Sequence, residues 1–164
     1  MKPSALLVAI MLVTAGLAAD SRRVEADDKA DFSAFKTFIV REGRATSRKA
    51  EIDNSLTLQT IQQAIREVLS SKGLKETPDQ PDLIVTFSVS EAPRRVVTGR
   101  GIRDMQAASH SVGTLVIDMT RAGTSSPVWH GIYVDDESNA ANLAKKLPKD
   151  AKTLVSAYPP KKKR

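Results

Sequence analysis

The sequence predicts an α+β fold, a single domain in which a mainly antiparallel sheet carries two helices packed on one face. A length of 164 residues suits one domain, since domains commonly have about 100–150 residues. Apolar and polar residues alternate in Leu83–Val89 and on both sides of the turn at Arg121–Pro127, which indicates strands. Two other segments repeat apolar residues every three or four positions, which indicates helices. Aromatic residues make up only 4% of the chain, so aliphatic side chains must fill most of the core.

Residues 1–18 have the pattern of a signal peptide. Lys2 precedes an apolar run, and small residues follow, so we expect cleavage between Ala18 and Ala19. The alternative is a membrane anchor, but the run from Ala5 to Ala19 is 15 residues, and a spanning helix needs about 20. Asp20 stands where a lipoprotein would carry its lipid-bearing Cys. We therefore expect a soluble protein in the periplasm or secreted, without lipid and without a transmembrane segment after cleavage.

The first part of the mature chain predicts two short extended segments around a turn. Val24 opens the first, and Phe35, Phe38 and Val40 are the apolar anchors of the second. The segment Arg41–Ile52 is polar and has little periodicity, so it is predicted to be an exposed loop.

The next segment predicts a helix that ends near Gly73. One apolar stripe supports it, formed by Leu58, Ile61, Ile65, Val68 and Leu69. Asp53 or Asn54 can cap its first turn, and Gly73 suits the left-handed conformation that often ends a helix.

The strand predicted at Leu83–Val89 is followed by Glu91–His110, the least regular part of the mature chain. The runs Leu115–Thr120 and Val128–Val134 then alternate again around a loop that contains Gly and Pro. This arrangement predicts an antiparallel hairpin.

A second helix is predicted before the end of the chain. Its apolar face is formed by Leu143, Leu147, Ala151, Leu154 and Tyr158. Pro148 is expected either to bend this helix or to mark its start, and Pro159 and Pro160 to end it. The domain is thus expected to span residues 24–160, with a basic tail at residues 161–164.

The charge distribution argues against nucleic acid as a partner. The net charge is +6, but Lys2 and the four tail residues supply five of the 25 basic side chains. The 20 that remain nearly balance the 19 acidic side chains, so the body of the protein is nearly neutral. The chain has no Cys, which excludes disulfides, thiol catalysis and Cys-based zinc sites.

The stretch around the only Trp of the chain offers either a catalytic site or a packed strand. Trp129 and Gly131 would share one face, so we interpret them as structural anchors, with Gly131 leaving room for a neighbouring side chain. His130 would face the other way. The nearby acidic residues that could assist it are Asp135, Asp136 and Glu137, which lie where the strand ends, and we interpret them as a solvated group. No nucleophile stands at a recognisable spacing from His130. We therefore predict no catalytic residue, no metal site and no cofactor.

An Arg-rich segment is the other candidate site. Arg94, Arg95, Arg100 and Arg103 could form a small patch that contacts an anion or a partner. The alternative, a mobile surface loop kept soluble by its charge, is favoured because charge without aromatic stacking residues is weak support for binding.

Several short motifs, in this order, resemble the bacterial envelope family known as domain of unknown function 4136. They are DFSAFKTF at Asp31–Phe38, NSLTLQTIQQAIREVLSSKGL at Asn54–Leu74, PDLIVTF at Pro81–Phe87, GTLVIDM at Gly113–Met119, VWHG at Val128–Gly131, and YPP before the tail. The resemblance covers Val24 to Pro160. It implies a compact α+β envelope domain, often made as a lipoprotein, with no established activity and no catalytic residues to carry over. Asp20 departs from the lipoprotein members.

The sequence thus favours an exported, non-catalytic module of the cell envelope or periplasm that binds an unidentified protein or glycan. The alternative is a periplasmic hydrolase that uses His130 with an acidic neighbour.

Overall fold

A computed structural model describes residues 21–98 and 106–161. These residues form one sheet and two helices. The elements are β1 (Ser21–Ala26), β2 (Thr37–Val40), β3 (Arg44–Thr46), α1 (Ser55–Ser71), β4 (Lys75–Glu76), β5 (Leu83–Thr98), β6 (Gln106–Arg121), β7 (Pro127–Glu137) and α2 (Ala140–Val155).

The seven strands form a mixed, mostly antiparallel sheet in the order β1-β7-β6-β5-β2-β4, and β3 also pairs with β5. Strands β1, β7, β6 and β5 are antiparallel neighbours. The short strands β2, β3 and β4 pair in parallel. The hairpin predicted around the turn at Arg121–Pro127 is β6–β7, with an irregularity between Met119 and Thr120. The predicted α+β class is confirmed.

Both helices cover one face of the sheet, which we call the helix face; the other is the open face. Leu143 of α2 lies over Gly113 of β6, and Leu154 lies over Gly131 of β7. α1 packs beside α2 and contacts β2 and β4. The strand residues that point to the helix face are buried: Leu83, Val85, Phe87, Val89, Leu115, Ile117, Met119 and Trp129. The prediction of two helices on one face is therefore confirmed.

α1 begins and ends as its sequence predicts. Of the two predicted caps, Asn54 is the one used, and its side chain accepts a hydrogen bond of 2.8 Å from the backbone N–H of Thr57. Gly73 has φ +89°, the left-handed conformation that stops the helix. Ile61, Ile65 and Leu69 of the apolar stripe are fully buried.

α2 continues through Pro148. Asn139 caps its first turn by accepting from the backbone N–H of Asn142 at 2.9 Å, so the helix begins before the proline. The expectation that Pro148 marks the start is therefore wrong. Pro148 removes one backbone N–H from the helix, but the buried row that includes Leu147 and Ala151 holds the helix against the sheet.

The segment Arg41–Ile52, predicted to be an exposed loop, is partly built into the fold. β3 lies within it and pairs with Ser88–Ser90 of β5. Gly43 packs so closely on the ring of Phe87 that a Cβ atom would overlap it, and Ile52 is fully buried. The three residues of β3 are too few to show a period, which is why the sequence gives no signal for the strand.

The prediction that Glu91–His110 is irregular is wrong in most of its length. β5 and β6 have 16 residues each, and their pairing continues from Leu83 opposite Arg121 to Thr98 opposite Gln106. The far part of this ribbon, Arg94–Thr98 with Gln106–His110, is called the arm below. Among the residues that the structure describes, none of the core covers either face of the arm, so the arm shows none of the apolar alternation by which a strand is recognised.

The carboxylate of Asp82 joins the start of β5 to β2. It accepts hydrogen bonds from the backbone N–H groups of Lys36 and Thr37, both at 2.8 Å, and from the hydroxyl of Thr37 at 2.9 Å. The backbone N–H of Lys36 and the two Thr37 groups favour the charged form and lower the pKa of Asp82 below its usual value of 3.8.

We expect Asp82→Asn to make the protein less stable at pH 7. A carboxyl group with a lowered folded-state pKa stabilises the fold above its unfolded-state pKa, and this stability is lost as the pH falls through the folded-state pKa. The difference in the free energy of unfolding between the two proteins should therefore narrow below about pH 4. Urea unfolding at several pH values measures it, with Asp53→Asn as the control at an exposed carboxylate. A difference that stays constant with pH would contradict this role.

Candidate interaction surface

Trp129 and Gly131 serve the packing of the helix face. Trp129 is 0% exposed, and a Cβ atom on Gly131 would lie 2.5 Å from its ring and 2.9 Å from a methyl group of Leu154. The side chain for which Gly131 leaves room is therefore mainly the indole of its own strand neighbour. These residues form a packed interior, out of reach of a substrate.

His130 points to the open face and has an acidic partner there. Its Nδ1 lies 2.6 Å from Oδ1 of Asp118, the residue directly opposite on β6, and both side chains are about one-third exposed. The acidic candidates that the sequence offers beside His130 all follow the strand, and Asp118 is not among them. The register of the hairpin is the signal that identifies Asp118.

The acidic residues at the end of β7 are bound to other side chains. Asp135 is 2% exposed and lies 3.1 Å from Nζ of Lys146, which also contacts Glu137 at 2.5 Å. Asp136 contacts Nδ1 of His110 at 3.1 Å and the guanidinium of Arg94. The interpretation of this trio as a solvated strand end is therefore wrong.

The arginines proposed as one patch are separated by the geometry of β5. Successive residues of a strand point to opposite faces. Arg94 accordingly binds Asp136 on the open face, while Arg95 is exposed on the other side of the arm. Arg100 and Arg103 lie outside the described residues, as do Ala18 and Ala19 at the expected cleavage position.

The arm extends past the strands that flank its base. In the described part of the chain, β7 pairs with β6 no farther than Ser111, and β3 pairs with β5 no farther than Ser90. Arg94 and Ala108 are exposed on one face of the arm, and Arg95 and Val97 are exposed on the other, where Val97 retains 55% of its surface. The outer edges of the arm thus present backbone N–H and C=O groups, the feature by which a sheet recruits another strand.

A groove of about 950 Å³ lies at the other end of the sheet, beside β1. Its lining includes residues 24–28, 30–33 and 159–161, among which Glu25, Asp27, Asp28 and Asp31 are acidic. The carboxylates of Asp27 and Asp31 also accept backbone N–H groups of their own turns, at 2.9 and 3.0 Å. Lys161, the first tail residue, lies at the rim, and the rest of the tail lies outside the described residues.

A metal site and a membrane-spanning helix are both absent from the residues that the structure describes. Over residues 21–98 and 106–161, no three His, Asp or Glu side chains come together in a way that could hold a metal ion. Neither helix in that part of the chain is long and apolar enough to cross a membrane.

Solved structures share this fold at low sequence identity. A DUF4136 family protein from Bacteroides thetaiotaomicron matches with TM-score 0.55 and 17% identity, over 82% of this chain and 94% of that one. The PelC dodecamer from Paraburkholderia phytofirmans matches with TM-score 0.52 and 10% identity, over 84% and 96%. A PDZ domain protein from Parabacteroides distasonis matches with TM-score 0.58 and 14% identity over 88% of this chain, which spans only 37% of that protein.

No curated protein matches this sequence. The sequence model of the family described as domain of unknown function DUF4136 matches residues 22–160, which includes every helix and nearly every strand residue described above. The resemblance found in the sequence motifs is thereby confirmed, and the chain belongs to the DUF4136 family.

Proposed function

We propose that this protein is an exported, non-catalytic module of the cell envelope that binds another protein through the arm. The observation that carries the proposal is the arm itself, a two-stranded ribbon that is exposed on both faces and extends past its neighbouring strands. An isolated two-stranded ribbon is marginally stable in water, and it becomes stable when a third strand or another surface packs against it.

The chemistry of the arm favours a protein partner over a glycan. A strand edge offers main-chain donors and acceptors in a repeating order, which another extended chain matches group by group. Within the described part of the arm there is no Trp, Tyr or Phe on which a sugar ring could stack.

The comparisons and the amino-terminal sequence support the same function. PelC of Paraburkholderia phytofirmans is a dodecamer, so a fold of this kind is compatible with assembly into larger complexes. The pattern of residues 1–18 supports export, and the absence of a Cys at Asp20 supports a module without a lipid. The periplasm is therefore the compartment in which we expect the partner.

The hydrolase alternative has one observation in its favour. The carboxylate of Asp118 orients the imidazole of His130, as acidic residues orient a catalytic His. However, the pair lies on the open face of the sheet, and the groove beside β1 does not include it. A general base in that position would lack the enclosure that excludes water from a site.

A co-purification experiment tests the proposal. The mature wild-type chain should capture an envelope protein from periplasmic extracts, and the Arg41→Glu and His130→Ala variants should capture the same protein. The Arg95→Glu variant should lose it. Arg41 is exposed outside the arm and Arg95 is exposed on it, so the two charge reversals are matched. Capture that is insensitive to Arg95→Glu would contradict binding through the arm. A hydrolytic activity of the wild type that His130→Ala abolishes would contradict the non-catalytic role.

A further inference from the structure

We infer that the arm binds a second copy of this chain, by antiparallel pairing of Gln106–His110 with the same segment of the other copy. The inference rests on the proposed function, in that it takes the arm as the binding element, and it names the partner and the edge.

The two edges of the arm differ in their ability to accept another strand. On the β5 side, Pro93 at the base lacks a backbone N–H, and Arg94 and Arg95 add charge. Proline and charged side chains are the features that keep the edges of natural sheets from pairing. The β6 side carries none of them among its described residues, which are Gln106, Ala107, Ala108, Ser109 and His110. The β6 edge is thus the one suited to accept a strand.

The β6 edge is also complementary to itself. Its described free part has Ala108 at the centre, so a two-fold axis there places Ala108 opposite its own copy and Ala107 opposite Ser109. Gln106 then lies opposite His110. No like charges face one another in this register, whereas the same operation on the β5 edge would bring Arg94 and Arg95 of the two copies together.

Pairing in this way would convert two exposed ribbons into one four-stranded sheet. Three or more strands are the usual requirement for a stable sheet, so each copy supplies what the arm of the other lacks. A two-fold contact is closed, because the same patch is used on both copies and no further copy can add to it. The contact is short, and we expect a dimer whose population rises with protein concentration.

The absence of Cys from the chain allows a direct test. Residues directly opposite in an antiparallel pair have Cα atoms roughly 4.5–5.5 Å apart, which a disulfide can bridge. Purified mature protein with Ala108→Cys should therefore form a disulfide-linked dimer under mild oxidation. The matched control is Val97→Cys, also exposed on the arm but on β5, where the two copies would be three strand spacings apart, roughly 14 Å. Equal cross-linking of the two variants, or none at Ala108→Cys, would overturn the inference.

A charge test at the same position checks the two-fold axis without a covalent bond. Ala108→Lys and Ala108→Glu should each sediment as monomers at concentrations where the wild type is dimeric, because each places like charges in direct opposition. An equimolar mixture of the two should restore the dimer. A wild type that stays monomeric, or a mixture that does not associate, would overturn the pairing. A wild type that stays monomeric but captures an envelope protein, where Arg95→Glu abolishes that capture, would overturn this inference and support the proposed function, so the two failures are distinguishable.

Discussion

Trp129→Ala should lower the free energy of unfolding by about 3–5 kcal/mol, the usual cost of deleting a buried Trp side chain. The indole lies between the sheet and α2 with no exposed surface, and its loss would leave a cavity beside Gly131 and Leu154 that neighbouring side chains can fill only in part. A domain of this size has a total stability of about 5–15 kcal/mol, so the variant should be close to unfolding. Urea denaturation followed by far-UV circular dichroism measures the effect.

His130→Ala is the control for Trp129→Ala, because His130 is adjacent in sequence and points to the open face. Its contact with Asp118 is partly exposed, and exposed contacts of this kind contribute about 0–1 kcal/mol. The two variants should therefore separate clearly in the same denaturation experiment. A loss for Trp129→Ala no larger than that for His130→Ala would contradict the role of the indole as the anchor of the core.

Gly131→Ala should also destabilise the protein, lowering the free energy of unfolding by about 1–3 kcal/mol, as is typical of overpacked cores. The added methyl group would meet the Trp129 ring at 2.5 Å, and a buried ring cannot rotate away as the end of a flexible side chain can. Replacing Gly by Ala within a strand would otherwise stabilise the protein, because Gly loses more backbone entropy on folding. A net loss therefore reports the steric overlap.

A double-mutant cycle isolates the contact between these two residues. In the Trp129→Ala background the ring is gone, so Gly131→Ala should cost much less than it does in the wild type. Residues in contact commonly show coupling energies of about 0.5–3 kcal/mol. Additive losses would mean that Gly131 is required for some reason other than the indole.

The elements that the sequence predicts are those with one buried face or a capped end. α1 combines an apolar stripe with Asn54 and Gly73 at its ends, and β5 buries every second residue where it crosses the core. β3 and the arm escape prediction for two different reasons. β3 is too short to show a period. The arm is exposed on both faces, so its sequence does not alternate between apolar and polar residues.

The sequence predicts which face of the sheet a residue occupies, but it predicts contacts between strands only where their register is known. Alternation alone predicts that Trp129 and His130 lie on opposite faces of the sheet. The pairing of His130 with Asp118 needs the register of the hairpin, which depends on the loop at Arg121–Pro127 and on the irregularity beside Met119. The contact between Arg94 and Asp136 depends on the continuation of β5 and β6 beyond the core, for which the sequence gives no local signal.

The position of β1 determines when this domain can fold. β1 comes first in the chain but pairs with β7, so that Ser21 lies opposite Val134 and Ala26 opposite Trp129. The entropy of closing so long a loop must be lost before any hydrogen bond of this pair forms, and topologies dominated by distant contacts fold slowly. The sheet therefore cannot acquire its amino-terminal edge until Pro127–Glu137 is available for pairing. Until then, the backbone groups of β1 stay unpaired with β7 and accessible to other proteins.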